Sequence, residues 1–326
     1  MSLLVLADDD VRATLDMASC IEAMEGALAG LARGELSLPL RSIVRVPDDD
    51  VLGLGLMPAH RGGRTPLIAL KEVVVVPANP TRGLDPHQGA VLLHDGATGQ
   101  LVALLNAAPI TEIRTAAVSA VATKLLARRG AHQVAILGSG VQGRSHAIAM
   151  RQVLPTAELR VWSPTPANAE ALALEAHAAA CGSIEEAVDG ADVVCTCTAA
   201  SEPILTRDHL PLLSPGAHIN AVGSSGTWAR ELDADVVATA SLFVDRREST
   251  LNESGDYLGA VAERGLGPDH IRAELGELLI GAHPGRHDDE ELTLFESLGL
   301  AVEDLAAAEL AAARARELGL GTEIAF

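Results

Sequence analysis

Gln133–His146 reads QVAILGSGVQGRSH, a short apolar run that breaks into three spaced glycines and then turns polar and helix-prone. The pattern predicts strand, tight turn and helix. Gly138, Gly140 and Gly143 fit the G-x-G-x-x-G spacing of dinucleotide-binding turns. The first permits the turn, the second lets a pyrophosphate approach the backbone, and the third lets the helix pack on the strand. Free amides at the helix start would face the phosphates. A glycine-rich turn with no ligand fits the same residues, so the surrounding elements decide.

The strand ELRVWS that follows ends at Ser163, a helix is expected over 167 to 180, and SIEEAVDGADVVCTCT supplies another helix and strand. GAHINAVG reads as a strand ending in glycine, DADVVATA as a helix and SLFVD as a strand. Strands alternating with helices from 133 to 245 predict an α/β fold with a doubly wound parallel sheet of the Rossmann type, the context the glycines need. In NAD-binding versions of this fold an acid about 20 residues beyond the glycines holds the ribose hydroxyls. Here the tip is Ser163-Pro164-Thr165, without a carboxylate. Hydroxyls there lift the repulsion toward a 2′-phosphate but bring no arginine to grip it, which tilts the expected cofactor, NADP or NAD, toward NADP.

The 326 residues suit two domains better than one. Hydrophobic residues make up 48% but aromatic residues only 2%, so the core is built from Leu, Val, Ile and Ala, and stacking platforms for nucleic acid are not expected. A net charge of −20 opposes binding to nucleic acid or to anionic membranes. A small anionic substrate then needs a local cationic pocket. Cys20, Cys181, Cys195 and Cys197 lack paired spacing and read as core residues in a reducing compartment, with no metal site. The start, MSLLVLADDD, has no basic region before its short apolar run, and no stretch approaches about 18 uninterrupted apolar residues, so a cytoplasmic protein is expected.

Two lysines occur, Lys71 and Lys124. Lys71 lies between LIAL and a valine run, on a strand in or near an interior, where an ammonium needs an anion; an edge-strand lysine whose head reaches water is the alternative. Before it, a strand LLVLA is followed by a helical stretch with Asp8 to Asp10 and Asp16 as caps and Gly34 as stop. Residues 37 to 76 read as strands with turns at Pro47 to Asp50 and Arg61 to Gly63. Arg41 and Arg45, four apart on one strand, would share a side, although two solvated arginines at a sheet edge fit equally well. Residues 77 to 89 read as a loop rich in Pro and Gly, with His87 its best polar candidate for touching ligand, although a lone loop histidine is more often merely exposed. VLLHDGATGQLVALL is a hairpin. From Ile110 a helix is expected with Thr111 as cap and Arg114 in its first turn, where a cation works against the helix dipole and a nearby anion would explain it, although a surface arginine fits equally well. Beyond residue 245 the chain reads as mostly helical, with an exposed loop from Pro284 to Glu290 and a helix over 302 to 317.

Four segments then resemble the ornithine cyclodeaminase and mu-crystallin family over nearly the whole length: LPLRSIVRVP with GLMPA; LKEVVVVPANP with PHQGAVLLHDGATGQLVALL; ITEIRTAAVSAVATKLLA leading into VAILGSGVQGRSH; and FESLGLAVEDLAAAELA. The resemblance implies a substrate-binding and dimerisation domain over 1 to 125 plus about 300 to 326, a Rossmann domain over 126 to 299, and a homodimer. It also implies that Arg41 and Lys71 bind the substrate carboxylate and that Arg114 lies beside the cofactor phosphates or the substrate. Gln142 matches the glutamine of the family's glycine loop, and Ser297 matches a position near the nicotinamide. Thr115, Val141, Thr198 and Val222 join Gly138, Gly140, Ser163 and Thr165 as expected cofactor contacts.

One departure bears on the reaction. The family's cyclodeaminases carry a catalytic aspartate after the strand that here reads HINAVG, whereas this chain has VGSSGTWAREL with Ser225 at that place, similar to the mu-crystallin type. A hydroxyl does not act as a base near neutral pH. The resemblance therefore implies first an NAD(P)H-dependent reductase of ketimines next to a carboxylate, such as 1-pyrroline-2-carboxylate or 1-piperideine-2-carboxylate, with alanine-dehydrogenase-like chemistry as a variant and Lys71 as the catalytic residue. Ornithine or lysine cyclodeamination is the second reading. A non-catalytic NADPH-binding protein holding a small ligand is the third.

Overall fold

The computed structural model of the chain describes residues 2–45, 53–76, 78–84 and 87–326. The turn expected at Pro47 to Asp50 lies outside them, as do Pro77, Asp85 and Pro86 of the expected loop. Two compact units divide the chain: Met1–Arg114 with Leu300–Phe326, and Thr115–Gly299. The first opens with β1 (Ser2–Leu6), α1 (Asp8–Thr14), α2 (Met17–Ala32), β2 (Leu36–Ser37), β3 (Ser42–Val44), β4 (Gly53–Arg61), β5 (Leu67–Val75), β6 (His87–Asp95) and β7 (Leu101–Asn106). Helix α3 (Ala107–Leu126) begins there and continues into the second unit. That unit holds β8 (Gln133–Leu137), α4 (Val141–Val153), β9 (Glu158–Trp162), α5 (Pro166–Ala176), β10 (Ala179–Ala180), α6 (Ile184–Val188), β11 (Val193–Thr196), β12 (His218–Ala221), α7 (Ala234–Thr239) and β13 (Ser241–Val244). It continues through α8 (Arg247–Glu253), α9 (Gly255–Arg264), β14 (Ile271–Glu274), α10 (Leu275–Leu279) and β15 (Thr293–Glu296) before α11 (Ala301–Leu318) and β16 (Thr322–Ala325) return to the first unit.

The first unit's sheet runs in the order β16-β1-β7-β6-β5-β4-β2, with β3 also on β4. Strand β5 is central and alternates, burying Ala69 and Lys71 while Glu72 points to solvent. Lys71 stands opposite Met57 of β4 and Val91 of β6, and α11 packs against all three strands. An edge position with a solvated head is thereby excluded for this lysine. Three expectations are corrected here. Arg41 and Arg45 flank β3 rather than sharing it, and Arg41 is half-buried where Arg45 is exposed. His87 begins β6 instead of lying in a loop, because β5 pairs with β6 as far as Val75–His87. Gly89 allows that pairing, since a Cβ there would sit 2.0 Å from the Glu72 carbonyl oxygen. Thr111 is no cap: Asn106 Oδ1 accepts from Ala108 N at 2.9 Å and starts α3 earlier, which puts Arg114 in the second turn.

In the second unit every strand pair is parallel, in the order β10-β9-β8-β11-β12-β15-β13-β14. Strands β11, β12 and β15 are buried at every residue, as expected where helices cover both faces. The sequence pattern missed β14 and β15, whose four-residue runs IRAE and TLFE are too short to show a period. The helix expected over 167 to 180 ends at Ala176, where His177 adopts a left-handed φ of 51°, and β10 follows. The boundary between the units falls inside α3 rather than after residue 125, because from Ser119 onward its side chains bond within the second unit. His146 Nε2 pairs with Ser119 Oγ at 2.9 Å, and Asn220 Nδ2 donates to Thr123 Oγ1 at 3.0 Å.

Candidate active site

In the first unit, chemistry gathers on the covered face of β5. Lys71 is 3% exposed, and its Nζ lies 3.0 Å from Asp304 Oδ1 and 2.8 Å from Oδ2. Arg114, also buried, donates from Nε to Asp304 Oδ1 at 3.1 Å and from Nη1 to Glu303 Oε2 at 2.9 Å. Both acids open α11, and Glu303 Oε2 accepts from Leu300 N as well, so one carboxylate caps the helix and holds a guanidinium. The anion expected beside Arg114 and the one Lys71 requires are thus supplied by the chain itself. Burial pulls the Lys71 ammonium down to about 8; Asp304 opposes that shift, while Arg114 and Arg41 add to it. Arg41 therefore acts on Lys71 electrostatically, whereas His87 is exposed at the start of β6.

In the second unit the glycine turn joins β8 to α4. Gly138 has φ 122°, and a Cβ there would come 2.4 Å from the Cys197 carbonyl oxygen. A Cβ on Gly143 would come 2.1 Å from the Gly138 carbonyl oxygen. These two glycines allow backbone to meet backbone, while Gly140, the N-cap of α4, borders open space where a phosphate would approach. Val141 is exposed beside it. Gln142 Oε1, in the first turn of α4, and Ser297 Oγ, just past β15, are among the unit's buried polar atoms without a protein partner; an amide oxygen accepts and a hydroxyl does either, which fits the hydroxyls and carboxamide of a bound dinucleotide. At the tip of β9, Ser139 Oγ donates to Ser163 Oγ at 2.8 Å, and Thr165 is the exposed N-cap of α5. The fold also brings an arginine that the strand tip lacks: Arg144 Nη1 donates to Ser139 O at 2.6 Å, and its Nε pairs with Glu175 at 2.9 Å.

The carboxyl ends of β11, β12 and β15 are tied together by buried acids. Glu231 accepts from Thr196 Oγ1 at 2.6 Å, Thr198 N at 2.5 Å, Thr198 Oγ1 at 2.7 Å and Gly223 N at 2.6 Å, with Val222 N at 3.3 Å. It fixes Thr198 and Val222, two of the expected cofactor contacts. Glu296 Oε1 accepts from Ser224 Oγ and, at 2.8 Å, from Ser254 Oγ; Asp256 Oδ1 accepts from the amides of Glu231 and Leu232 at 2.8 and 2.9 Å. Burial raises both Asp256 and Glu296, and for Glu296 the charge of Asp256 adds to it. Ser225 itself is exposed. Thr115 is buried where α3 enters the unit.

Sequence reasoning missed Glu303, Asp304, Glu231, Asp256, Glu296 and Ser139. The acid pair in AVEDLAAA reads as ordinary dipole-matching charge in the first turn of a helix. What marks it in retrospect is the buried lysine, which had no anion assigned. Among the described residues no group of three or more His, Cys, Asp or Glu is placed to hold a metal ion, and no helix is long and apolar enough to cross a membrane.

Residues 1–318 match the family model described as ornithine cyclodeaminase/mu-crystallin. Ketimine reductase mu-crystallin from Mus musculus is 42% identical over 295 residues, 89% of this chain and 90% of that protein. The structure of Thermococcus litoralis Delta(1)-pyrroline-2-carboxylate reductase in complex with NADH and L-proline is similar with a TM-score of 0.91 and 36% identity, covering 98% of this chain and 100% of that one. An archaeal alanine dehydrogenase dimer with bound NAD has a TM-score of 0.92 at 29% identity, with 100% of both chains covered.

Proposed function

The chain belongs to the ornithine cyclodeaminase/mu-crystallin family, and we propose that it is an NAD(P)H-dependent reductase of ketimines whose imine carbon bears a carboxylate. The observation that carries this reading is the buried Lys71, an ammonium held near neutral titration beside Arg41 and Arg114. Arg41 and Lys71 bind the substrate carboxylate, with Arg114 and His87 as further substrate contacts. Gly138, Gly140, Val141 and Gln142 hold the cofactor's pyrophosphate, Ser163 and Thr165 its adenosine ribose, and Thr115, Thr198, Val222 and Ser297 the remainder. When bound, the nicotinamide supplies a hydride to the imine carbon. Lys71 gives its proton to the imine nitrogen, so that the C=N bond becomes CH–NH and the resulting neutral amine of Lys71 regains a proton from water.

Cyclic imines of five or six members suit this clamp, and an alanine-dehydrogenase-like imine formed from a 2-oxo acid and ammonia needs the same groups. Exposed Ser225 offers no base for cyclodeamination, and the neighbouring acids are committed to strand ends and hydroxyls. The lack of an acid at Ser163, with Arg144 beside Ser139, favours NADP over NAD. A homodimer is the proposed assembly, a reading supported by the dimer of the archaeal alanine dehydrogenase.

The test is a substrate panel: NADH and NADPH oxidation with 1-pyrroline-2-carboxylate, 1-piperideine-2-carboxylate and pyruvate plus ammonia, with L-ornithine alongside. Oxidation fastest on the cyclic imines is expected, and Lys71→Met should lower kcat/KM at least about 1,000-fold while cofactor affinity changes less than about twofold. Ammonia and proline from L-ornithine without net cofactor oxidation would overturn the reading in favour of cyclodeamination. Tight NADPH binding with no turnover on any member would favour a binding protein.

A further inference from the structure

Lys71 is buried on a central strand, flanked across the sheet by Met57 and Val91, neither of which carries charge. The charged groups that act on it come from other elements: Asp304 of α11, Arg114 of α3, and Arg41 ahead of β3. Two of those three are cations and push the ammonium toward the neutral amine, as burial does. Asp304 alone among them works the other way. From this geometry we propose that Asp304 is the positioning residue of the reaction, the carboxylate that both aims Lys71 Nζ and keeps it a charged proton donor.

The contacts give the role its form. Both Asp304 oxygens lie within 3.0 Å of Nζ, and Oδ1 is shared with Arg114 Nε at 3.1 Å, so one carboxylate holds the ammonium and the guanidinium together. Asp304 is itself fixed on the first turn of an 18-residue helix whose cap is the neighbouring Glu303. The proposal rests on the imine-reductase reading, but its central measurement does not.

Lys71 and Lys124 are the chain's two lysines, so lysine labelled with 13C at Cε gives two signals, and Lys71→Met assigns them. In the intact protein the Lys71 signal should titrate near pH 8, well below that of an ordinary lysine. In Asp304→Asn it should titrate at least about one pH unit lower, with kcat/KM on a cyclic imine at pH 7.5 reduced at least about tenfold, part of it regained as the pH is lowered toward 6, and NADH affinity unchanged. Asp304→Glu, which keeps the charge at a different reach, should hold the titration near that of the parent while lowering kcat. This variant decides the matter if the Asn variant does not fold: a Lys71 titration displaced as far as expected for charge removal would count against the proposal. A Lys71 titration unmoved in Asp304→Asn overturns it whether or not imines are reduced. A shifted titration in a protein that turns over no imine supports Asp304's hold on Lys71 and counts against the reductase reading alone.

Discussion

In the first unit Lys71 and Arg114 are buried and each faces a carboxylate of α11, whereas in the second unit Asp256 and Glu296 are buried as deeply with hydroxyls and backbone amides as partners. The first cluster is neutralised by opposite charge. In the second, ionisation is opposed instead: burial raises both carboxyls, Asp256 to about 7, and the charge of Asp256 adds to the shift at Glu296. His146 and His218 follow the second pattern, burial pulling them down to about 4 and about 3, so that neither carries charge near neutral pH. The difference suits the proposed reaction in the first unit, where a substrate carboxylate needs a positive charge kept positive.

Removing one charge by an isosteric amide breaks this comparison most sharply. Glu303→Gln leaves Arg114 short of a buried partner and should destabilise the protein by about 3 kcal/mol in urea unfolding at pH 7.5. Glu296→Gln should be neutral or stabilising there, because the amide needs no proton to stay uncharged. Equal losses in the two variants would mean that the clusters do not differ in kind.

A smaller effect sharpens the point through pH. Glu296 titrates well above its ordinary 4.5 in the folded protein, so the stability belonging to its protonated form is fully present below about pH 4.5 and is lost as pH rises toward the folded value. The advantage of Glu296→Gln over the parent should therefore shrink as the pH is lowered from 7.5 and vanish near 4.5. An advantage that stays constant over that range would show Glu296 to be ionised in the fold.

The parallel sheet was legible because its βα alternation is local: β8, β9, β11, β12 and β13 each announce themselves within their own few residues, and Gly138, Gly140 and Gly143 state the turn, whereas the two-residue β10 was taken into a helix. Lys71 was legible for a related reason, as a charge in an apolar run. Its partner was not, because Asp304 is 233 residues away and looks like a helix-capping acid until α11 is laid across β5. Arg114 shows the same limit. Its need for an anion was apparent, but the source was read as a ligand when the chain supplies Glu303 and Asp304 itself. The short strand β15 escaped notice because four buried residues carry no period, although Glu296 and Ser297 sit at its end. Arg41 and Arg45 were joined too readily by an i to i+4 rule that holds only within a continuous strand.

The central claim is that the protein moves a hydride from a nicotinamide to the imine carbon next to a carboxylate clamped by Lys71. Turnover of 1-pyrroline-2-carboxylate with NADH or NADPH carrying deuterium at both C4 positions tests it most directly, read by mass spectrometry of the product. One deuterium at Cα of proline for each cofactor oxidised is the expected result, with no deuterated proline formed by Lys71→Met. Cofactor oxidation without label in proline, or proline formed with the cofactor unchanged, would contradict it.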